Sequence, residues 1–155
     1  MKGPIKILII NGPNLGYLGK REPEIYGRES MDSIYPLLDK WLSSYKESVT
    51  LEIFQSNIEG ELIDRMERAW EEKIDGIVIN AGAYTHTSLA LHDCISWIRI
   101  PTIEVHLSNL WSRKEEIRHT SMLSPKCIGV ISGFGIFGYV LAVMALIKHL
   151  EEKQT

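Results

Sequence analysis

The sequence predicts an α/β protein: a parallel sheet with helices packed on both faces. Three observations predict it. Five apolar runs recur along the chain, IKILIIN (5–11), VTLEIFQS (49–56), DGIVINAG (75–82), PTIEVHL (101–107) and CIGVISG (127–133). Helix-like segments lie between them, so strands and helices alternate. The runs are also nearly continuous in apolar residues, as in strands buried on both faces. For five strands at this length, the doubly wound order 2-1-3-4-5 is expected.

The helical segments follow in turn. SMDSIYPLLDKWLSSYKE (30–47) opens with Ser30 as a cap and carries Pro36 early, where a kink is expected. EGELIDRMERAWEEK (59–73) sets Leu62, Ile63, Met66, Ala69 and Trp70 on one face at helical spacing. TSLALHDCISWI (87–98) and YVLAVMALIKHLEEK (139–153) complete the set. No repeat, low-complexity tract or linker interrupts the 155 residues, so one flavodoxin-like domain spanning 1–155 is expected.

Composition narrows the function classes. With 45% hydrophobic and 24% charged residues the chain reads as an ordinary globular protein. A formal net charge of −3 leaves no electrostatic footprint for nucleic acid or an anionic membrane. An anionic substrate would have to be held by a few local cations. The first ten residues lack the long apolar region and cleavage site of a signal peptide, and no run reaches the roughly 20 apolar residues of a membrane span. Cys94 and Cys127 form no metal-type pair, so a cytoplasmic protein is expected. The five histidines show no compact ligand spacing, which argues against a metal site.

Nearly every strand runs out into unusual polar residues: Asn11 and Asn14, Gln55 to Asn57, Asn80 to Ser88, and Glu104 to Ser108. Open parallel sheets bind ligands outside the carboxyl ends of their strands. These residues therefore converge on one functional rim. Within EVHLSN the period-2 alternation puts Glu104, His106 and Ser108 on one face and Val105 and Leu107 on the other. A carboxylate beside an imidazole fixes the ring and favours its protonated form, which suits a general acid. In NAGAYTHTS a turn bearing Asn80 and His86 leads into a helix start. The first N–H groups of that helix, with the Thr87 and Ser88 hydroxyls, could take an anion, or those hydroxyls could simply cap it.

GFGIFG (133–138) has dinucleotide-binding spacing between a strand and a helix. No later strand remains to supply the acidic ribose-binding residue, so close packing of the last helix is the favoured reading. A non-catalytic nucleotide-binding module is the rival function. The loop NGPNLGYLGKREPEIYG (11–27) is far longer than the roughly 4–6 residues of an ordinary connection, and long ordered loops tend to carry function. It holds Lys20, Arg21 and Tyr26. A tyrosine serves as a base near neutrality only if something stabilises its phenolate, and a permanent cation on a closing loop could do that.

In chain order, NGPNLGYLGKREPEIYG, QSNIEGELID, GAYTHTSLALHD, IEVHLSN and GFGIFGY resemble the type II 3-dehydroquinate dehydratases over nearly the whole chain. The resemblance implies a flavodoxin-like fold, a homododecamer built as four trimers, and no cofactor or metal. It implies reversible loss of water from 3-dehydroquinate, in the shikimate pathway or in quinate breakdown. By motif, Tyr26 would be the base on a lid, Arg21 its activator, and Asn14 the holder of a water at the enolate. His106 would be the acid, oriented by Glu104. Asn80, His86, Leu107 through its backbone, and Ser108 would bind substrate, and Asp93 would reach a neighbouring subunit's site. The chain departs from the family pattern in N-A-G-A at 80–83, in Trp111, and in one extra residue within SRKEEIRHTS (112–121). By the same motif the substrate-binding arginine would be Arg118, or alternatively Arg113.

Overall fold

The computed structural model describes residues 3–18, 20, 24 and 30–153. Its sheet comprises β1 (Ile5–Asn11), β2 (Val49–Gln55), β3 (Gly76–Asn80), β4 (Thr102–His106) and β5 (Gly129–Ser132). All neighbours run parallel, in the order β2-β1-β3-β4-β5. The longer helices are α1 (Ile34–Trp41), α2 (Glu59–Glu71), α3 (Leu89–Ile98) and α4 (Phe137–Glu152).

Strand periodicity divides the core into two layers. Ile7, Ile9, Val78, Ile103 and Val105 pack with α1 and α4, whereas Leu8, Ile10, Ile77 and Ile79 pack with α2 and α3. Each fully buried aliphatic side chain stabilises the fold by about 1.5–3 kcal/mol relative to exposure. The centre of the sheet is thus dry on both faces. Polar side chains are displaced to its carboxyl edge.

Local chemistry changed some of the expected helix details. Ser30 makes no side-chain cap: Met31–Ser33 is a 3-10 turn, and α1 begins only at Ile34. Pro36 then falls in the first turn of α1, where N–H groups have no intrahelical partner, so it costs no hydrogen bond. On α2, Leu62, Met66 and Ala69 are buried, but Trp70 is 55% exposed and meets Trp97 of α3 at 5.7 Å between ring centroids. Arg65 is buried instead, held by Glu52 and Glu72. The arginine stem fills the inner face while its charge finds two carboxylates.

The glycine run after β5 is a packing device. Gly133 (φ 100°) and Gly135 (φ 59°) occupy conformations that favour glycine, and their N–H groups donate to the carbonyls of His106 and Leu107. A Cβ on Gly138 would stand 3.3 Å from Val105 of β4. The run therefore seats α4 against the sheet, as close packing requires. No helix among the described residues is long and apolar enough to cross a membrane.

Candidate active site

Parallel pairing sets the base of the site. Asn11 of β1 stands opposite Gln55 of β2 and Asn80 of β3, which makes a row of three amides across the carboxyl edge. The Gln55 amide donates to the Gly12 carbonyl and to Asn57 Oδ1, and Asn57 Oδ1 also accepts from the Asn14 N–H. Asn14 is thereby held in the left-handed region (φ 68°), which asparagine tolerates better than most residues. The polar end of β2 does not line the pocket; it anchors the loop that does.

The pocket lies outside the ends of β1, β3 and β4. It is lined by Pro13, Asn14 and Leu15 from the first loop, and by Asn80, Gly82, Ala83 and His86 from the turn after β3. His106, Leu107, Ser108, Leu110, Arg113 and Arg118 complete it. Eight residues chosen from the sequence thus meet in one place: Asn14, Asn80, His86, His106, Leu107, Ser108 and both candidate arginines.

Glu104 lies directly beneath. Its side chain is fully buried, and its Oε2 stands 3.0 Å from His106 Nε2. Nε2 makes no hydrogen bond of good geometry, so the pair is in close contact without a linear bond. The Ser121 hydroxyl donates to Oε1 at 2.5 Å and the Ser124 hydroxyl to Oε2 at 2.8 Å. Burial pushes the Glu104 carboxyl up, but the His106 contact and the two serine hydroxyls outweigh it and hold it below its ordinary range. Glu104 is therefore an anion fixed under the imidazole.

The arginines arise from the loop after β4. Asn109 Oδ1 accepts from the Trp111 N–H, His119 Nε2 meets the Arg113 carbonyl at 2.7 Å, and the Trp111 and His119 rings lie 5.5 Å apart. This loop turns both Arg113 and Arg118 to the pocket. They share Glu115, at 4.0 and 3.6 Å from their Nε atoms. Its carboxyl is held low, first by its own backbone N–H, against some desolvation, and then by Arg118 and Arg113. His86 Nδ1 lies 2.7 Å from the Thr120 carbonyl, which can only accept, so Nδ1 donates there.

Other expectations met different outcomes. At the helix start, Ser88 Oγ accepts from the Leu91 N–H as the cap of α3, and neither Thr87 nor Ser88 lines the pocket. Asp93 lies on α3 with its side chain 78% exposed, 3.0 Å from its neighbour His92, and does not line this chain's pocket. Arg21 and Tyr26 lie outside the described residues. Among the described residues no cluster of three or more His, Cys, Asp or Glu side chains could hold a metal ion. The sequence reading missed Ser121 and Ser124, which face Glu104 from 17 and 20 residues away. It also missed Tyr139, whose hydroxyl donates to Asn11 Oδ1 and accepts from Asn80 Nδ2. The only sequence signal for these was polar residues in otherwise apolar surroundings.

The family model for "Dehydroquinase class II" matches residues 5–147. A 3-dehydroquinate dehydratase of Clostridium perfringens is 50% identical over 151 residues, 96% of this chain and all of that protein. A catabolic 3-dehydroquinase of the fungus Botryotinia fuckeliana is 51% identical over 148 residues, 96% of each. The crystal structure of a type II dehydroquinase from Butyrivibrio crossotus superposes with a TM-score of 0.87 at 44% identity, covering 93% of this chain and 98% of that one. These matches run from the first strand to the last helix and take in every pocket-lining residue, so the chain belongs to the class II dehydroquinase family of hydro-lyases.

Proposed function

We propose that this chain catalyses the reversible dehydration of 3-dehydroquinate to 3-dehydroshikimate through an enolate, as a single catalytic domain. The observation that carries the reading is the buried Glu104–His106 pair at the floor of a pocket whose other walls bear amides and two arginines. A proton next to a ketone is weakly acidic, so its removal needs a base and a partner for the enolate oxygen, and the departing hydroxyl needs an acid.

Tyr26, activated by Arg21, takes the proton from the carbon next to the ketone. The electron pair moves onto the ketone oxygen, where a water held by Asn14 stabilises it. As the enolate collapses, the carbon–oxygen bond to the hydroxyl breaks and His106 delivers the proton that lets it leave as water. Glu104 orients His106 throughout. Arg118, with Arg113 beside it, faces the substrate carboxylate. Asn80, His86, Ser108 and the Leu107 N–H take the hydroxyls and remaining oxygens, the Leu107 carbonyl being occupied by Gly135. No cofactor or metal takes part in this scheme. Asp93, exposed on α3, contributes to the site of a neighbouring subunit in a dodecamer of four trimers, and the enzyme works in the cytoplasm.

The test follows the ultraviolet absorbance of the conjugated enone product, with chelator present, for wild type and Tyr26→Phe side by side. Absorbance should rise with wild type and stay flat with the variant. An equal rise in both would remove Tyr26 from the role of base.

A further inference from the structure

Three buried polar side chains at the carboxyl edge, Asn80, Tyr139 and Asn11, form a chain of hydrogen bonds whose polarity is forced. The Gly82 N–H can only donate, and it meets Asn80 Oδ1 at 3.2 Å. That turns Asn80 Nδ2 toward Tyr139, whose hydroxyl oxygen accepts it at 3.1 Å. With that lone pair engaged, the Tyr139 O–H donates to Asn11 Oδ1 at 2.5 Å. Asn11 Nδ2 then faces Met31 Sδ at 3.3 Å, an atom that can only accept. Asn11 and Tyr139 are fully buried and Asn80 is 3% exposed. At this depth water cannot replace a lost partner, so neither amide can turn over without stranding a polar atom.

The inventory of Asn80 follows. Its oxygen serves Gly82 and one Nδ2 hydrogen serves Tyr139, which leaves one N–H on a residue that lines the pocket. Tyr139 belongs to α4 and is not among the pocket's lining residues, so among the described residues it reaches the site through Asn80. We infer that Tyr139 is a positioning residue that fixes Asn80 as a hydrogen-bond donor to a substrate oxygen, so that the substrate atom at Asn80 is an acceptor. This rests on the dehydratase reading for the identity of the substrate, but not for the orientation of the amide.

Tyr139→Phe keeps the ring and deletes only the hydroxyl. Two readouts test the inference, after thermal unfolding has shown that the variant is folded. The first is the Asn80 side-chain amide pair in 15N-resolved NMR of the ligand-free protein. Wild type should show two distinct, slowly exchanging protons, and Tyr139→Phe should shift and accelerate them. The second is a kinetic cycle of Tyr139→Phe, Asn80→Ala and the double variant with 3-dehydroquinate. Tyr139→Phe should raise KM roughly tenfold with a smaller change in kcat, and should add almost nothing in the Asn80→Ala background. Asn11→Ser replaces an obligate acceptor by a group that can also donate, and should loosen the same amide in the same direction if Tyr139→Phe does not fold. Unchanged amide signals, or KM effects that simply multiply, would overturn the inference. Inactive wild type would sink the dehydratase reading, and the amide measurement would still decide the role of Tyr139.

Discussion

The two halves of the pocket are built on different physics. On the β4 side a buried carboxylate, an imidazole and two arginines form a charged half. On the β1 and β3 side Asn11, Asn14, Asn80 and the backbone of the first loop form a neutral half, fixed by hydrogen bonds of set polarity. In the charged half, Glu104 stays ionised at full burial because the His106 contact and two donating serine hydroxyls outweigh desolvation. In the neutral half no charge is at stake, and orientation is set by which atoms can donate and which can accept. The division matches the chemistry: proton transfer needs charge that can move, while recognition of hydroxyls needs amides that do not.

Removing the imidazole from the charged half should have the largest effect. His106→Ala should lower kcat by roughly 10²–10⁴-fold while KM stays within about threefold, as judged from initial rates of enone formation. A loss confined to KM would place His106 among the binding groups and erase the contrast.

The neutral half is most vulnerable through its backbone. A Cβ on Gly12 would collide with the carbonyl of Ala81 just beyond β3, and backbone cannot yield as a side chain end can. Gly12→Ala should destabilise the fold by about 2–3 kcal/mol, read as a lower urea midpoint at constant m-value. Asn80→Ala should act more gently and on binding, raising KM about tenfold with little change in kcat. A matching fall in kcat would show that the neutral half takes part in the chemical step.

The smallest effect concerns pH. Glu104 has its folded pKa held below its ordinary 4.5, so its stabilisation is fully present above that value and is lost as pH falls through the lower folded one. Glu104→Gln cannot lose a proton in this range. As pH falls from about 6 through this range, wild type should therefore lose more stability than Glu104→Gln, measured by denaturant titration at each pH. Equal losses would mean that the serine hydroxyls do not hold Glu104 ionised.

How much of this was legible in the sequence follows from the range of the signals. The apolar strands and the Glu104–His106 alternation depend on periodicity within a few residues, the strand order on the alternation of five strands with helices at this length, and these held. The rim of polar strand ends was also legible, because parallel strands deliver their carboxyl ends to one edge. The helix cap at Ser30 and the face of Trp70 failed because local propensity yielded to packing: α1 starts where Ile34 meets the core, and Trp70 pairs with Trp97 outside it. Ser121, Ser124 and Tyr139 were not legible at all. Their partners are 17, 20 and 59 or more residues away, and no spacing rule connects a serine in one loop to a carboxylate in a strand. The roles of Asn14, His86 and Arg118 came from resemblance rather than from spacing. Their meeting in one pocket is what the geometry adds.

The most direct test of the central claim compares wild type with His106→Ala for enone formation from 3-dehydroquinate in the presence of chelator, after both are shown to be folded. Steady formation by wild type and near-silence from His106→Ala is the predicted result. A folded wild type that leaves 3-dehydroquinate unchanged would contradict the account.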